Sequence, residues 1–220
     1  MPDSSHDLPE VFEAYIRYLD TKVAFLEHLY RDDRKEEALT LCCVYIEGLA
    51  QRIYSTEQKK EGRRKLFVKV LLEHGGEESL CLVDPPTLAN SLRGASKCGA
   101  SHLELASGLK DHFCDSPVQL RTFDELLAEA ETKLGAEELA LLKETAWMGT
   151  IAALAYREFR NPLVHNLHAS HGLVFSNTLY RGSPIPRVSF KDLYRALVRI
   201  TVHWKSDFAA RLPTRGEVGE

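Results

Sequence analysis

Trp147-Met148-Gly149-Thr150-Ile151-Ala152-Ala153-Leu154-Ala155-Tyr156 is apolar on nearly every side. A surface helix carries one apolar stripe, whereas a helix that is apolar all round belongs inside a core. Read with its flanks, the segment predicts one long helix over 136–160, enclosed by other helices. The chain is therefore expected to be mostly α: a helical bundle with a long buried central helix. Gly149 and Ala153 are small residues four positions apart, on one face of such a helix. They would let another helix approach closely, either within the chain or from a second copy, and packing within the chain is the preferred reading.

Working outward, Phe12, Tyr15, Ile16, Leu19, Val23, Leu26 and Tyr30 recur at three- and four-residue steps and predict a first helix over 9–30. Arg31-Asp32-Asp33-Arg34 reads as a break. A second helix is expected over 35–54, with Ala38, Cys42, Tyr45, Ile46, Leu49 and Ile53 facing inward. Ser55 with Gln58 could open a third helix through a capping box, stopped by Gly75-Gly76. Residues 77–120 hold Pro85-Pro86 and scattered glycines and predict short helices and loops. A helix over 122–134 should stop at Gly135. Near 172–190 a small β-hairpin is expected, with arms 172–177 and 187–190 around Arg181-Gly182-Ser183-Pro184. A last helix opens at Ser189 and buries Leu193, Leu197, Ile200, Trp204 and Phe208. This organisation suits a single domain over 9–211, with polar termini at 1–8 and 212–220.

The 220 residues, 44% of them hydrophobic, are enough for a substantial core. No apolar run approaches the ~18 residues of a membrane span. The polar start, Met1-Pro2-Asp3-Ser4-Ser5, lacks the basic-then-apolar order of a signal peptide, so a cytoplasmic protein without a membrane partner is expected. Five cysteines, Cys42, Cys43, Cys81, Cys98 and Cys114, form neither a disulfide framework nor a Cys-x-x-Cys zinc pattern. Cys42 and Cys43, adjacent on a helix and pointing about 100° apart, read as small buried residues. The net charge of −4 argues against a broad nucleic-acid-coating surface and leaves room for a small basic cleft.

The central segment runs into Arg160-Asn161-Pro162-Leu163-Val164-His165. Sixteen arginines and nine histidines would produce an Arg and a His five apart roughly 0.65 times by chance; an Asn directly after the Arg lowers that to about 0.01. The pattern Arg160-Asn161-x-x-x-His165, at the end of a buried helix, resembles the signature of the HEPN superfamily, whose domains are helical bundles. The 39–50 segment, Leu39 to Ala50, also resembles an early core helix of such proteins. The resemblance implies a metal-independent endoribonuclease with Arg160, Asn161 and His165 as site residues, RNA as substrate and no cofactor. It further implies a homodimer in which two copies of the motif meet, and a toxin or antiviral effector with an antitoxin partner.

The residue chemistry suits that task. Arg160 can brace the charge on a phosphorane with its permanently charged fork. His165 can move a proton, its reference pKa being about 6.5. Asn161 can hydrogen-bond the phosphate or hold His165. Because Pro162 disfavours helical geometry at Asn161, Asn161 could cap a new helix and place His165 near anion-attracting N–H groups. In the alternative, a kinked continuous helix, Asn161 and His165 share a face and Arg160 lies aside. The rival reading is a non-catalytic helical module that binds a nucleotide, RNA or a partner protein.

His165, His168 and His171, three apart, could share a metal, but no carboxylate or cysteine stands at matching spacing, and no metal site is assigned. Lys191, Arg195, Arg199 and His203 fall on one stripe of the last helix and could guide an RNA backbone. A solvated charged face is the preferred reading of them, as it is of the basic run 59–65. Glu47 lies near an inner face, where it could pair with Arg160 or help the site.

Overall fold

The computed structural model describes residues 8–58, 60–94, 99–114, 118–160, 178–180, 183–184 and 188–211. They are mostly helical, as the periodicity predicts. Helix α1 spans Leu8–Arg31 and α2 spans Lys35–Ile53. The break between them turns at Asp33, whose φ of 62° is in the left-handed region that Asp tolerates better than most residues. Helix α3, Arg63–His74, ends at Gly75-Gly76, and Gly76 takes a φ of +63°. Its start differs from the expected capping box at Ser55: residues 54–58 are turns, and the helix begins after the extended Gly62.

Helices α1, α2, α3 and α9 (Ile151–Ala155) enclose the larger core together with the last helix, α10 (Phe190–Arg211). Phe12 stacks on Phe208 at one end of α1, and Tyr30 stacks on Phe190 at the other, so α1 and α10 run antiparallel. The inner face expected of α2 is largely the observed one, with Ala38, Cys42, Cys43, Ile46, Leu49 and Ala50 buried.

Residues from Val83 to Met148 build a second core, while Leu80, Leu82 and Leu120 join the larger one. Helices α4 (Glu78–Cys81), α5 (Pro85–Arg93) and α6 (Ala100–Phe113) are the short helices expected over 77–120, α6 being the longest at 14 residues. Asp84 caps α5 by accepting from the Thr87 amide, with Pro85 in its first turn. Helix α7, Phe123–Ala130, opens with a capping box between Thr122 and Glu125 and stops short of the predicted Leu134, where turns take over. Helix α8 is Ala136–Thr145.

The expected continuous helix over 136–160 is corrected at its middle. After α8 come a 3₁₀ turn, Ala146–Gly149, an extended Thr150, the short α9 and a π-helical turn, Tyr156–Arg160. Two contacts enforce the break. A Cβ on Gly149 would lie 2.5 Å from the Leu88 Cβ, so Gly149 admits α5 against the chain. Thr150 forms a bridge to Val83, and its hydroxyl caps α9 by accepting from the Ala153 amide at 3.1 Å. The segment is buried, as its composition requires, but over 150–155 it is a cap and a single short turn of helix.

Three short strands form a small sheet in the order β1 (Val118–Gln119), β2 (Thr178–Tyr180), β3 (Ser183–Pro184). β1 and β2 are parallel; β2 and β3 pair antiparallel through Leu179–Pro184 and Tyr180–Ser183. The hairpin expected near 172–190 is thus present with closer arms. Only two residues, Arg181-Gly182, separate them, the length of a tight hairpin connection. Pro184 sits on the edge strand, where a missing N–H costs least. The expected arm 172–177 lies outside the described residues.

Candidate functional site

Arg160 is the last residue of the π-helical turn, which packs against α2 and α3. A π turn widens a helix by one residue per turn and is found often at functional positions. Here it brings Arg160 to Glu47, on the buried face of α2. Arg160 Nε donates to Glu47 Oε2 at 2.5 Å and Nη2 donates to Oε1 at 3.1 Å. The side chains are 13% and 7% exposed. A two-point ion pair of this kind is the form in which a carboxylate and a guanidinium tolerate removal from water.

The surroundings are tight. Gln51 Nε2 donates to Glu47 Oε1 at 3.3 Å. The Arg160 guanidinium lies 5.4 Å from the Tyr156 ring centre, and that ring meets Phe67 edge-on at 5.1 Å. Burial acts to lower the Arg160 pKa, but the hydrogen bond it donates to Glu47 and the nearby Tyr156 outweigh that and the net shift is upward. Burial pushes the Cys43 thiol up to about 12; the Arg160 charge opposes that and the Glu47 charge adds to it. Cys43 is thus a packed neighbour of the pair with its thiol protonated, matching its expected role as a small buried residue.

Of the three motif residues, Arg160 is placed. Asn161 and His165 lie outside the described residues, as do His168 and His171. Among the described residues no group of three or more His, Cys, Asp or Glu side chains could hold a metal ion, and no helix is long and apolar enough to cross a membrane.

The stripe on α10 is partly occupied. Arg199 donates to the carbonyl oxygens of Gly75 and Gly76 and pairs with Glu77 at 3.0 Å; Arg195 stands 3.9 Å from the same carboxylate. Lys191 is exposed. Two of these three cations therefore anchor α10 to the turn after α3.

Two features escape a reading of the sequence. Arg64, in the first turn of α3, is half-buried rather than solvated. Its guanidinium lies 5.7 Å from the Trp147 ring centre, and Nη2 makes a long contact of 3.5 Å to the Met148 carbonyl. His74 and His203, 129 positions apart by their numbering, stack with ring centres 3.8 Å apart. Each was visible only as one more charge on a polar helix face. The Glu47–Arg160 pair had a sequence signal, a carboxylate on an otherwise apolar helix face. No family model, no curated protein and no solved structure matches the chain.

Proposed function

We propose that the chain is a metal-independent endoribonuclease of the HEPN type. The observation that carries the reading is the placement of Arg160. The arginine that opens Arg160-Asn161-x-x-x-His165 sits at the end of a π turn, with Glu47 holding its Nε–Nη2 edge. A guanidinium fixed in this way meets a phosphate without first being ordered, which is what electrostatic stabilisation of a transition state requires. In the proposed reaction a ribose 2′-hydroxyl attacks the adjacent phosphorus and gives its proton to one imidazole. The P–O5′ bond breaks and the leaving oxygen takes a proton from an acid. The products are a 2′,3′-cyclic phosphate and a 5′-hydroxyl. One His165 is a single proton carrier, so the reading pairs two chains, each supplying Arg160 and His165 to a shared cleft. A toxin or antiviral effector, held in check by an antitoxin protein, is the biological role proposed from the resemblance.

The test is incubation of end-labelled RNA with the purified chain in the presence of a chelator. Cleavage leaving a cyclic phosphate is expected, with His165→Ala slower by ~10²–10⁴. Activity of His165→Ala within a factor of about two of the parent would remove the mechanism.

One observation favours the rival reading, a non-catalytic module that binds a nucleotide, RNA or a partner protein. Arg160 is nearly covered, and its main partner is a carboxylate of its own chain. A growth assay separates the two. Toxicity on expression, relieved by Arg160→Ala or His165→Ala, supports the nuclease. Equal harmlessness of all three supports the module.

A further inference from the structure

Arg64 is a half-buried cation in the first turn of α3. Among the described residues no carboxylate pairs with it, its Nε is buried without a hydrogen-bond partner, and its nearest acceptor is the Met148 carbonyl, shared with the Ser91 hydroxyl. A half-buried guanidinium in that position carries a desolvation cost that the Trp147 ring and the long Met148 contact offset only in part.

The surroundings add to the cost. The Arg157 charge stands close enough to lower the Arg64 pKa, after burial itself, which is the larger cause. Arg63 precedes it, exposed and without an ion pair among the described residues. Both lie in the first turn of α3, which has no acidic residue and whose cap, Gly62, supplies no side-chain acceptor. Helix starts favour anions and disfavour cations, so three consecutive basic residues, Arg63, Arg64 and Lys65, invert the usual arrangement. Lys65 is answered by Glu61 at 2.7 Å; among the described residues no carboxylate answers Arg63 or Arg64. Tyr156 senses the charges of Arg160, Arg63 and Arg64 together, so this basic corner adjoins the Glu47–Arg160 pair.

An anion at the exposed part of the guanidinium would answer the uncompensated charge of this corner. We propose that Arg64, with Arg63 beside it in the chain, binds a backbone phosphate of the RNA strand, next to the linkage that Arg160 addresses. The assignment of RNA rests on the reading proposed above. The Trp147 ring, 5.7 Å from the guanidinium carbon, supports the cation from one side, and the terminal N–H groups of the guanidinium are the donors offered to phosphate oxygens. Arg64 is then a binding residue that fixes the strand's register, and Arg160 remains the residue at the reacting phosphate.

The experiment measures anisotropy of a labelled single-stranded RNA on the full chain carrying His165→Ala, so that the RNA survives. Arg64→Gln is expected to weaken binding about tenfold and to lower the slope of log affinity against log salt by about 0.7, one phosphate contact on a single strand. Arg17→Gln removes an equal charge from α1 and should leave affinity within about twofold. If Arg64→Gln fails to fold, Arg64→Lys keeps the charge without the fork and should bind about threefold more weakly. Unchanged affinity in the Arg64 variants, or a loss no larger than that of Arg17→Gln, overturns the proposal. So does equal protection against melting by inorganic phosphate and by RNA at matched phosphate concentration, which would mark a free-anion site. Cleavage is scored separately: RNA binding that depends on Arg64 in a chain that never cuts sinks the nuclease and leaves this site standing.

Discussion

Glu47 and Arg160, 113 positions apart, meet in a two-point ion pair that joins the face of α2 to the end of the π-helical turn. Its energetics are asymmetric. Removing one partner strands the other charge out of water, while removing both leaves only a polar gap. Glu47→Ala is therefore expected to destabilise the fold by about 3–5 kcal/mol. Glu47→Gln combined with Arg160→Gln should cost less than the sum of the single changes. Urea unfolding of the parent, Glu47→Gln, Arg160→Gln and the double variant checks this. Additive losses would mean that the two side chains do not depend on each other.

Gly149 lies against α5 with no room for a side chain. A Cβ there would meet the Leu88 Cβ at 2.5 Å and its Cα at 3.1 Å. Gly149→Ala should cost about 1–3 kcal/mol through displacement of α5, and part of that loss should return when Leu88→Ala is added. A Gly149→Ala protein that melts with the parent would show that the contact yields freely.

Thr150 caps α9 while its backbone bridges to Val83. Thr150→Ala removes the acceptor for the Ala153 amide and is expected to cost about 1 kcal/mol. Thr150→Ser keeps the hydroxyl and should recover most of it. Thermal melts of the three proteins decide; an equal loss in both variants would place the effect elsewhere than the cap.

The stacked pair His74–His203 predicts a pH dependence. Burial lowers the His74 pKa below its ordinary value of 6.5, and the His203 charge lowers it further. Glu73 and Asp207 raise it, and Lys69 again lowers it. Tyr54, whose hydroxyl donates to Glu73 at 2.7 Å, completes the surroundings. With its folded-state pKa depressed, His74 binds more protons in the unfolded chain than in the folded one. Stability then rises with pH, and falls as pH drops from about 6.5 toward the lower folded value. The difference in melting temperature between parent and His74→Gln should therefore shrink as pH falls from 7 to 5. A constant difference across that range would remove the linkage.

What was legible in the chain followed from periodicity and from residues whose chemistry is local. The stripes from Phe12 to Tyr30 and from Leu193 to Trp204 read directly as α1 and α10, because a helix repeat shows in a short window. Gly75-Gly76 stopped α3 as expected. The unbroken helix over 136–160 was misread because its interruption comes from partners remote in sequence, Leu88 pressing on Gly149 and Val83 bridging Thr150. The Glu47–Arg160 pair was half legible: a carboxylate on an apolar face demands a partner, but which cation supplies it depends on how α2 and the π turn cross. Arg64 and the two stacked histidines carried no signal, since a charged residue on a helix reads the same in sequence whether it faces water or a tryptophan ring.

The residues around Val83 have a last consequence. Four backbone hydrogen bonds cross there: the Val83 and Arg121 amides donate to each other's carbonyls at 2.7 and 3.2 Å, the Asp84 amide donates to the Gly149 carbonyl at 2.8 Å, and the Ile151 amide to the Leu82 carbonyl at 2.9 Å. This backbone stitch lies where the larger hydrophobic cluster gives way to the smaller one. Neither cluster can open far without tearing it, so both should come apart in a single cooperative event. In deuterated water the amides of Val83, Asp84, Arg121 and Ile151 should be among the last to exchange.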